Sequence, residues 1–434
     1  MKAKEIIVLI LIIFAGVSFY YLYTGKLQVD FNKRKGLILT TRDKFIIEET
    51  YLLEAPLPEL LRVENSHGNV EIIGWDENEI KIHFQKEIRA KKEKKASEIS
   101  EKIRIITDKN PERIFISTNR GELESQRFKT HFKIYVPFIS TAEIENAHGL
   151  VKVVDIHKAR IQNRYGKVIA SNIKSFLSVK NSYEDIEVDS TKGNVEIESK
   201  YSVVLLKNTE GDIKISHKNG KIEVENSSEK VEIDSYYTEI YGEGLKGQLK
   251  CKNSYGKIRL YHTGPLEIIA HHSEIEIEEA KGDIKINNSY GRAKLTDIEG
   301  NLSVSGKSLA VNGRNISGNE IFISSSYRDI HLTELEGKTT VSISNGELIL
   351  EPLSLRYPLQ AKGEYADITF FWPPGEKGPF EARTKNGEIK WKLSEKVTYW
   401  QEDKTTFLRA FFTEEKTPLI SLSTTYGDIL IENY

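Results

Sequence analysis

A short unit recurs between His148 and Leu350, and its period constrains the fold more than any single residue does. In the stretch from Val179 to Val188, alternating aliphatic residues are followed by Asn-Ser-Tyr and a turn. One tyrosine of each unit forms a column along the sequence, and its members are separated by 18, 18, 36 and 18 residues: Tyr165, Tyr183, Tyr201, Tyr237 and Tyr255. Asn219 occupies the vacant position in the 36-residue interval. The sequence therefore has an 18-residue repeat.

The repeat continues beyond these residues with two one-residue slips. A contraction falls near His262 and an expansion near Gly318. With these slips the column continues at four further positions, His272, Tyr290, Tyr327 and Asn345. A glycine-rich column lies half a period away, so each repeat consists of two similar nine-residue halves.

Each half of the repeat carries two aliphatic residues at alternate positions, such as Ile186 and Val188 or Val195 and Ile197. This spacing is typical of a strand with one buried and one solvated face. Glycine and Asn-Gly provide the turns between strands. The pattern predicts an all-β, single-chain parallel β-solenoid. Parallel crossovers favour right-handed winding, and about 12 coils would form a rod roughly 58 Å long.

Composition limits the partners and the chemistry of this rod. The chain has 62 Lys and Arg against 64 Asp and Glu, a net charge of −2. It therefore has no basic footprint for nucleic acid, which is not an expected partner. The single cysteine, Cys251, excludes an intramolecular disulfide framework. It falls on an inward column, and we expect a small core residue rather than a reactive thiol.

An apolar run at residues 6–23 predicts a membrane-spanning helix within an N-terminal anchor, residues 1–26. A cleaved signal peptide is the alternative, although no clear cleavage site follows the run. Lys26 and Lys33 follow the run within the distance that sets topology, which favours a cytoplasmic C-terminus. The short tail with Lys2 and Lys4 favours export instead. We expect a single-pass protein of the cytoplasmic membrane, with its solenoid outside the cytoplasm.

The regions around the regular coils are less periodic. Residues 27–60 are predicted as a stalk, and residues 61–145 as an N-terminal cap that holds the first solenoid unit and one amphipathic helix at about 89–103. The regular solenoid is expected over 146–350. Residues 351–434 are predicted as irregular coils and a C-terminal cap, because solenoid ends are open sheet edges that need covering.

Several motifs carry a family likeness. The opening unit Leu61–Ile72 reads L-x-V-x-N-x-x-G-x-V-x-I, a later strand ends in Val136-Pro137, and the chain closes on the unit Ser421–Ile431. With the N-terminal apolar run, these features resemble the bacterial putative-adhesin domain family over nearly the whole chain beyond residue 60. The resemblance implies a β-helical envelope or surface protein with one membrane segment. It implies no catalytic residues.

Metal binding is not expected. Calcium-binding β-rolls need paired glycines and an Asp at each turn, whereas Asp212, Asp283 and Asp428 are isolated. Of the ten histidines, His271 and His272 are adjacent and should face opposite ways on a strand. His217 and His271 lie three coils apart, too far for one ion. We interpret them as surface or turn residues and predict no metal and no cofactor.

A polysaccharide-acting β-helix enzyme is the catalytic alternative. Such an enzyme needs acidic groups converging in a cleft, and on a solenoid long inserted loops build the cleft walls. The coils keep to 18 residues with single-residue slips, which leaves little room for a wall. We therefore predict a binding, adhesion or scaffolding module of the cell envelope that is not an enzyme. An envelope-stress regulatory or assembly factor remains a further alternative.

Two polar columns could form a site. Stacked amides at a coil corner are predicted to hydrogen-bond along the rod, at Asn146, Asn163, Asn181, Asn253 and Asn288. The tyrosine column either packs in the same way, which we favour, or stands outward as an aromatic ladder. Outward rings could bind a glycan or an envelope protein, since they offer apolar area with a polar edge. The candidate residues are Tyr165, Tyr183, Tyr201, Tyr237, Tyr255, Tyr290 and Tyr327.

Overall fold

The computed structural model describes residues 39–41, 44–55, 57–123, 127–411 and 420–433. Within these ranges 31 strands form one hydrogen-bonded network, joined by one α-helix and one short 3-10 helix. The predicted all-β parallel solenoid is confirmed. The predicted anchor lies outside the described residues. No helix within the described ranges has the length and hydropathy needed to cross a bilayer.

Fifteen of these strands build the regular rod. They are β10 Val151–Val154, β11 Lys158–Gln162, β12 Val168–Ser171, β13 Phe176–Ser182, β14 Ile186–Thr191, β15 Asn194–Thr209, β16 Ile213–Ser227, β17 Val231–Leu245, β18 Leu249–Thr263, β19 Leu266–Lys281, β20 Ile284–Asn288, β21 Tyr290–Glu299, β22 Leu302–Gly306, β23 Ser308–Ser325 and β24 Ile330–Pro352. The long strands, such as β16, turn a corner and contribute to both faces of the rod. Neighbouring strands pair in parallel, as the repeat predicts.

Each coil contributes one segment to each of two sheets. Sheet 1 contains the first half of each coil, for example Ile213, and sheet 2 contains the second half, for example Ile222. Ile213 pairs with Val231 on the next coil, and both side chains are buried. Cys251 is buried on the same inward column, as expected. Alternating aliphatic residues from the two sheets form the core of the rod.

Both slips in the repeat lie where the sequence places them. Leu249 pairs with Leu266, so one residue is missing at the turn that precedes Leu266. A register shift between Ser317 and Glu320 absorbs the extra residue. The half-period glycines allow close packing of turns, since a Cβ on Gly193 would lie 1.6 Å from the Ser175 carbonyl oxygen. The right-handed sense of winding stays a prediction.

The N-terminal cap contains nine strands and the helix. They are β1 Leu39–Thr41, β2 Lys44–Glu54, β3 Leu60–His67, β4 Val70–Trp75, β5 Glu79–Arg89, α1 Glu93–Lys102, β6 Ile105–Lys109, β7 Arg113–Thr118, β8 Phe128–Pro137 and β9 Thr141–His148. The predicted helix is present but shorter than expected. The first coil, β3 and β4, lies between the later coils β7/β8 and β9/β10. Coil order in space therefore differs from chain order.

Antiparallel strands cover the N-terminal end of the rod. β5 pairs with β8, β2 pairs with β5, and β6 pairs with β7. Ala96 and Ile99 of α1 are buried. β2 falls within the segment that the sequence assigns to the stalk, yet it is a strand of this cap, held by a full antiparallel ladder along β5.

The C-terminal end repeats this out-of-order arrangement. Its strands are β25 Leu359–Trp372, β26 Phe380–Lys385, β27 Ile389–Trp391, β28 Thr398–Glu402, β29 Thr405–Ala410, β30 Ile420–Thr424 and β31 Ile429–Asn433. The last coil, β30 and β31, inserts between β25 on one side and β26 with β27 on the other. β29 pairs antiparallel with β26, and β28 pairs antiparallel with β29. The sequence predicts irregular coils here but not this insertion.

Candidate binding site on the aromatic ladder

The aromatic column lies at the corner where sheet 1 turns into sheet 2. Tyr183, Tyr201, Tyr237 and Tyr255 have left-handed backbone conformations, with φ between 49° and 70°. The column tyrosines are 39 to 57% exposed. The tyrosine rings therefore face solvent, and they also stack on one another. The structure thus combines the two predicted alternatives, packing at the corner and an outward aromatic ladder.

Ring stacking forms two continuous stacks, in which every successive pair is face to face except His67 and His148, whose ring planes are tilted by 30°. Centroid distances between successive rings lie between 4.5 and 5.7 Å. The first stack contains His67, His148, Tyr165, Tyr183 and Tyr201, and the second contains Tyr237, Tyr255, His272 and Tyr290. We call the two stacks together the aromatic ladder. The ring faces contact each other, so the ladder presents ring edges and phenol hydroxyls to solvent.

Three ladder positions lack an aromatic ring. Asn219 separates the two stacks, and Ser308 and Asn345 lie on the two sides of Tyr327. Tyr327 therefore stands alone and is 56% exposed. Beyond Asn345, a further stacked pair, Tyr365 and Tyr426, has centroids 4.7 Å apart.

The structure adds members that the sequence reasoning left out of the site. His67 joins the ladder because β3 pairs with β9, which places it beside His148. The similar sequence around Asn65 and Asn146 was the feature that could have indicated that these two strands are neighbours. Tyr236 also contributes, since its ring meets those of Tyr237 and Tyr255 edge-on, with centroids 4.4 and 5.7 Å away.

Buried polar residues support the ladder from inside the corner. Asn163 and Asn181 each donate hydrogen bonds to turn carbonyls of two successive coils. The predicted bonding of this column along the rod is confirmed, although most acceptors are backbone carbonyls. Asn146 donates to the Gly149 carbonyl of its own turn and to the side-chain oxygen of Asn163, whereas Asn253 and Asn288 each donate to one carbonyl of the preceding coil. These bonds fix the corner on which each ring is mounted.

His217 occupies one position of this buried column, and its interpretation as a surface or turn residue is wrong. Its side chain is 1% exposed. Its Nδ1 lies 2.7 Å from the hydroxyl of Ser199 on the preceding coil. Burial lowers the pKa of His217 to about 4. His271 and His272 are exposed, as expected, and the His272 ring belongs to the ladder.

The isolated turn aspartates have structural partners. Asp212 accepts a hydrogen bond from the backbone N–H of Lys230, and Asp428 accepts one from the backbone N–H of Glu388. Asp283 accepts one from the side-chain amide of Asn301. These carboxylates therefore join neighbouring coils. Within the described ranges, no cluster of three or more His, Cys, Asp or Glu side chains has a metal-binding arrangement.

A small cavity lies in the N-terminal cap, away from the ladder. Its volume is about 260 Å³, and Leu53, Ile82 and Ile103 contribute to its largely apolar lining. Glu49 is the one carboxylate among the described residues that line it, and that group is engaged by Lys86 at 2.8 Å and by Tyr51 at 2.6 Å. The cavity does not present the pair of carboxylates that glycoside hydrolysis uses.

Comparison with known proteins supports a β-helical family. Residues 59–265 match the family model described as Toastrack DUF4097. For that stretch, the resemblance to adhesin-like β-helical proteins is confirmed. A solved structure described as a putative cell adhesion protein from Clostridium sporogenes is 10% identical, with 89% of this chain and 99% of that chain covered and a TM-score of 0.16. A TM-score of 0.16 does not show a shared fold. No curated protein matches the chain.

Proposed function

We propose that the chain is a binding or adhesion module of the cell envelope, and that the aromatic ladder is its contact surface for a glycan or an envelope protein. The observation that carries this proposal is the exposure of the rings. Tyr201 and Tyr237 are 57% and 51% exposed. Large apolar groups that stand in a row on a protein surface commonly mark an interaction site.

The backbone energetics support a role beyond stability. A non-glycine residue in the left-handed region costs about 1 to 3 kcal/mol, and stacking of an aromatic pair returns about 0.5 to 1.5 kcal/mol. The conformational cost is at least as large as the gain from stacking, so the rod gains little stability from tyrosine at these corners. Asn219 shows that a residue better suited to this conformation is accommodated at the same position.

The geometry suits an extended ligand. Ring edges and phenol hydroxyls repeat along the rod axis at the strand spacing, so a polymer lying along the ladder would meet many equivalent contacts. Each contact alone would be weak, but simultaneous contacts raise the overall affinity strongly. An extended glycan or a strand-like segment of an envelope protein has the necessary length.

Replacing the ring row tests this function. The variant with Tyr183, Tyr201, Tyr237 and Tyr255 all changed to Ser should lose at least 90% of its binding to isolated envelope glycans, because the contacts act together. The strand content measured by circular dichroism should persist, since the inward residues are unchanged. Binding is measured by co-sedimentation of the purified rod.

The matched control uses two tyrosines that lie off the ladder. Tyr241 and Tyr261 form a ring pair on sheet 2 with centroids 5.7 Å apart. Changing both to Ser should leave binding within about twofold, because they lie outside the contact row. Equal loss in the two variants, or full binding by the ladder variant, would contradict the proposal.

The proposal places the rod outside the cytoplasmic membrane, tethered through residues 6–23. The apolar length of that run and the family likeness support this location. Cys251 is unsuitable as a probe, because burial raises the pKa of its thiol to about 12. A cysteine at the exposed position of Lys214 in a Cys251→Ser background should therefore react with an impermeant maleimide in intact cells or spheroplasts. Reaction only after lysis would contradict the location.

A further inference from the structure

The gap at Asn219 is a slot between two aromatic faces. Strand pairing places Asn219 one coil after Tyr201 and one coil before Tyr237. Two strand steps separate the two rings by roughly 10 Å. Among the described residues, Tyr201 stacks on Tyr183 only and Tyr237 stacks on Tyr255 only, with Tyr236 meeting Tyr237 edge-on. The two faces that border the slot are therefore open.

The size of the slot fits one inserted ring. Successive rings of the ladder stack at 4.7 to 5.7 Å outside the His67 pair, and a ring midway between Tyr201 and Tyr237 would lie about 5 Å from each. A pyranose ring is puckered, hence thicker than an aromatic ring, and it bears C–H groups on both faces. This spacing therefore suits a sugar ring held between two aromatic faces.

Asn219 supplies polar contacts at the base of the slot. Its backbone has the same left-handed conformation as the ladder tyrosines, with φ 61°. Its side chain is partly exposed, and among the described residues its amide has no hydrogen-bond partner. An amide offers two donors and an acceptor. Sugar hydroxyls at the ring edge need groups of this kind.

Two lysines flank the slot and oppose each other across adjacent strands. Lys200 and Lys218 are register partners, and both are exposed. Like charges directly opposite on a sheet are destabilising. Neither ammonium group forms an ion pair within the described part of the chain. Several exposed lysines elsewhere on the rod form an ion pair with a glutamate on the neighbouring strand, as in Lys180–Glu198 at 2.9 Å, Lys250–Glu267 at 3.1 Å and Lys338–Glu320 at 3.1 Å.

We propose that the Asn219 slot binds a pyranose ring that carries a carboxylate, as in a uronic acid unit of an acidic glycan. This inference rests on the proposed function and adds the ligand class. Tyr201 and Tyr237 hold the two ring faces, the Asn219 amide bonds the hydroxyls, and the ammonium groups of Lys200 and Lys218 bind the carboxylate. A bound carboxylate would relieve the repulsion between the two lysines.

The chain contains an internal comparison for this site. Asn345 creates a similar gap between Tyr327 and Tyr365. The residues that correspond to the slot lysines there are Ser326 and Ser344, which carry no charge. This gap is neutral, and it also differs from the slot in that the Asn345 amide donates a hydrogen bond to the Ser326 carbonyl at 3.2 Å.

Filling the slot is the decisive test. Asn219→Tyr should complete the stack, and it should fold because tyrosine occupies the same left-handed position on the neighbouring coils. The thermal midpoint should not fall. Affinity for tetragalacturonate, measured by calorimetry on the otherwise unchanged chain, should weaken at least tenfold because the ring can no longer enter. Asn345→Tyr, the matched control, should stay within twofold of the wild type.

Removing the charges tests the acidic class. The double variant Lys200→Gln, Lys218→Gln should bind tetragalacturonate about tenfold more weakly at low salt and lose most of its salt dependence. Its affinity for neutral galactotetraose should remain that of the wild type. Lys214→Gln, an exposed lysine on the same strand as Lys218, should change neither affinity.

The outcomes separate this inference from the proposed function. Unchanged tetragalacturonate affinity in Asn219→Tyr overturns the slot even when the four-tyrosine ladder variant loses glycan binding. Equal wild-type affinity for the acidic and neutral tetrasaccharides, including no binding of either, overturns the acidic ligand class. Glycan binding that survives in the ladder variant removes the proposed function as well.

Discussion

Replacing Ile213 with Asp should lower the free energy of unfolding by about 4 kcal/mol, because an unpaired carboxylate would enter the apolar core. Ile213 and Val231 are register partners that are 1% and 0% exposed. Val231→Asp should therefore have a similar effect. Urea unfolding followed by circular dichroism measures the effect of each variant. The first unfolding transition of each variant is compared with that of the wild type, because neighbouring coils stabilise each other.

The control lies one residue away on the solvated face. Lys214 is exposed, and its register partners are Glu196 and Glu232. An acidic residue there would add repulsion, so Lys214→Ser is the cleaner change and should stay within about 0.5 kcal/mol of the wild type. Similar losses from Ile213→Asp and Lys214→Ser would contradict the inward and outward assignment of this strand.

Strand residues could be assigned from sequence because the period leaves little freedom. A register error of one residue would move every aliphatic side chain of a strand to solvent. The 18-residue spacing therefore fixed the pairing of Ile213 with Val231, as well as the slips near His262 and Gly318. The same reasoning identified Cys251 as a core residue.

Corner residues could not be assigned by alternation. Between the buried Asn181 and the buried Ile186, the residues include Tyr183 with a φ of 70°. A left-handed residue breaks the period of two, so counting no longer tells whether its side chain points inward. Tyrosine is also uncommon in this conformation, so the residue type did not indicate the direction of the side chain either. The solvent-facing stack had to come from the structure.

His217 could have been placed correctly by counting. It lies 18 residues after Ser199 and 18 before Ser235, both on the inward column. The comparison with His271 obscured this, because His271 pairs with Ser254, one residue beyond that column. Histidine is polar enough to suggest exposure, yet the Ser199 hydroxyl satisfies Nδ1 within the corner.

The sequence indicated the spatial order of the end coils only weakly. Leu61–Ile72 resembles the units that follow Ala142, which reflects their adjacency as β3 and β9. Nothing in the spacing indicated that β7 would pair on the other side of β3. The intervening β5 and α1 break the period, and a chain can return to an open sheet edge after an excursion of any length.

Lys86→Met should destabilise the N-terminal cap by about 3 to 5 kcal/mol, because it would leave a buried carboxylate without its ammonium group. Lys86 is 1% exposed and Glu49 is 5% exposed, and their charged atoms lie 2.8 Å apart. Lys86 also donates a hydrogen bond to the Ser100 carbonyl of α1 at 3.1 Å. The pair therefore joins β2, β5 and the helix.

Lys44 supplies the matched control, since it forms an ion pair with Glu87 across the same two strands at 3.0 Å but is 40% exposed. Lys44→Met should cost no more than about 1 kcal/mol. The double variant Glu49→Leu, Lys86→Met should recover a large part of the loss, because apolar groups of similar volume can replace a buried pair. Hydrogen exchange on β2 and β5 would localise these effects to the cap. A Lys86→Met variant as stable as Lys44→Met would show that the buried pair does not hold the cap together.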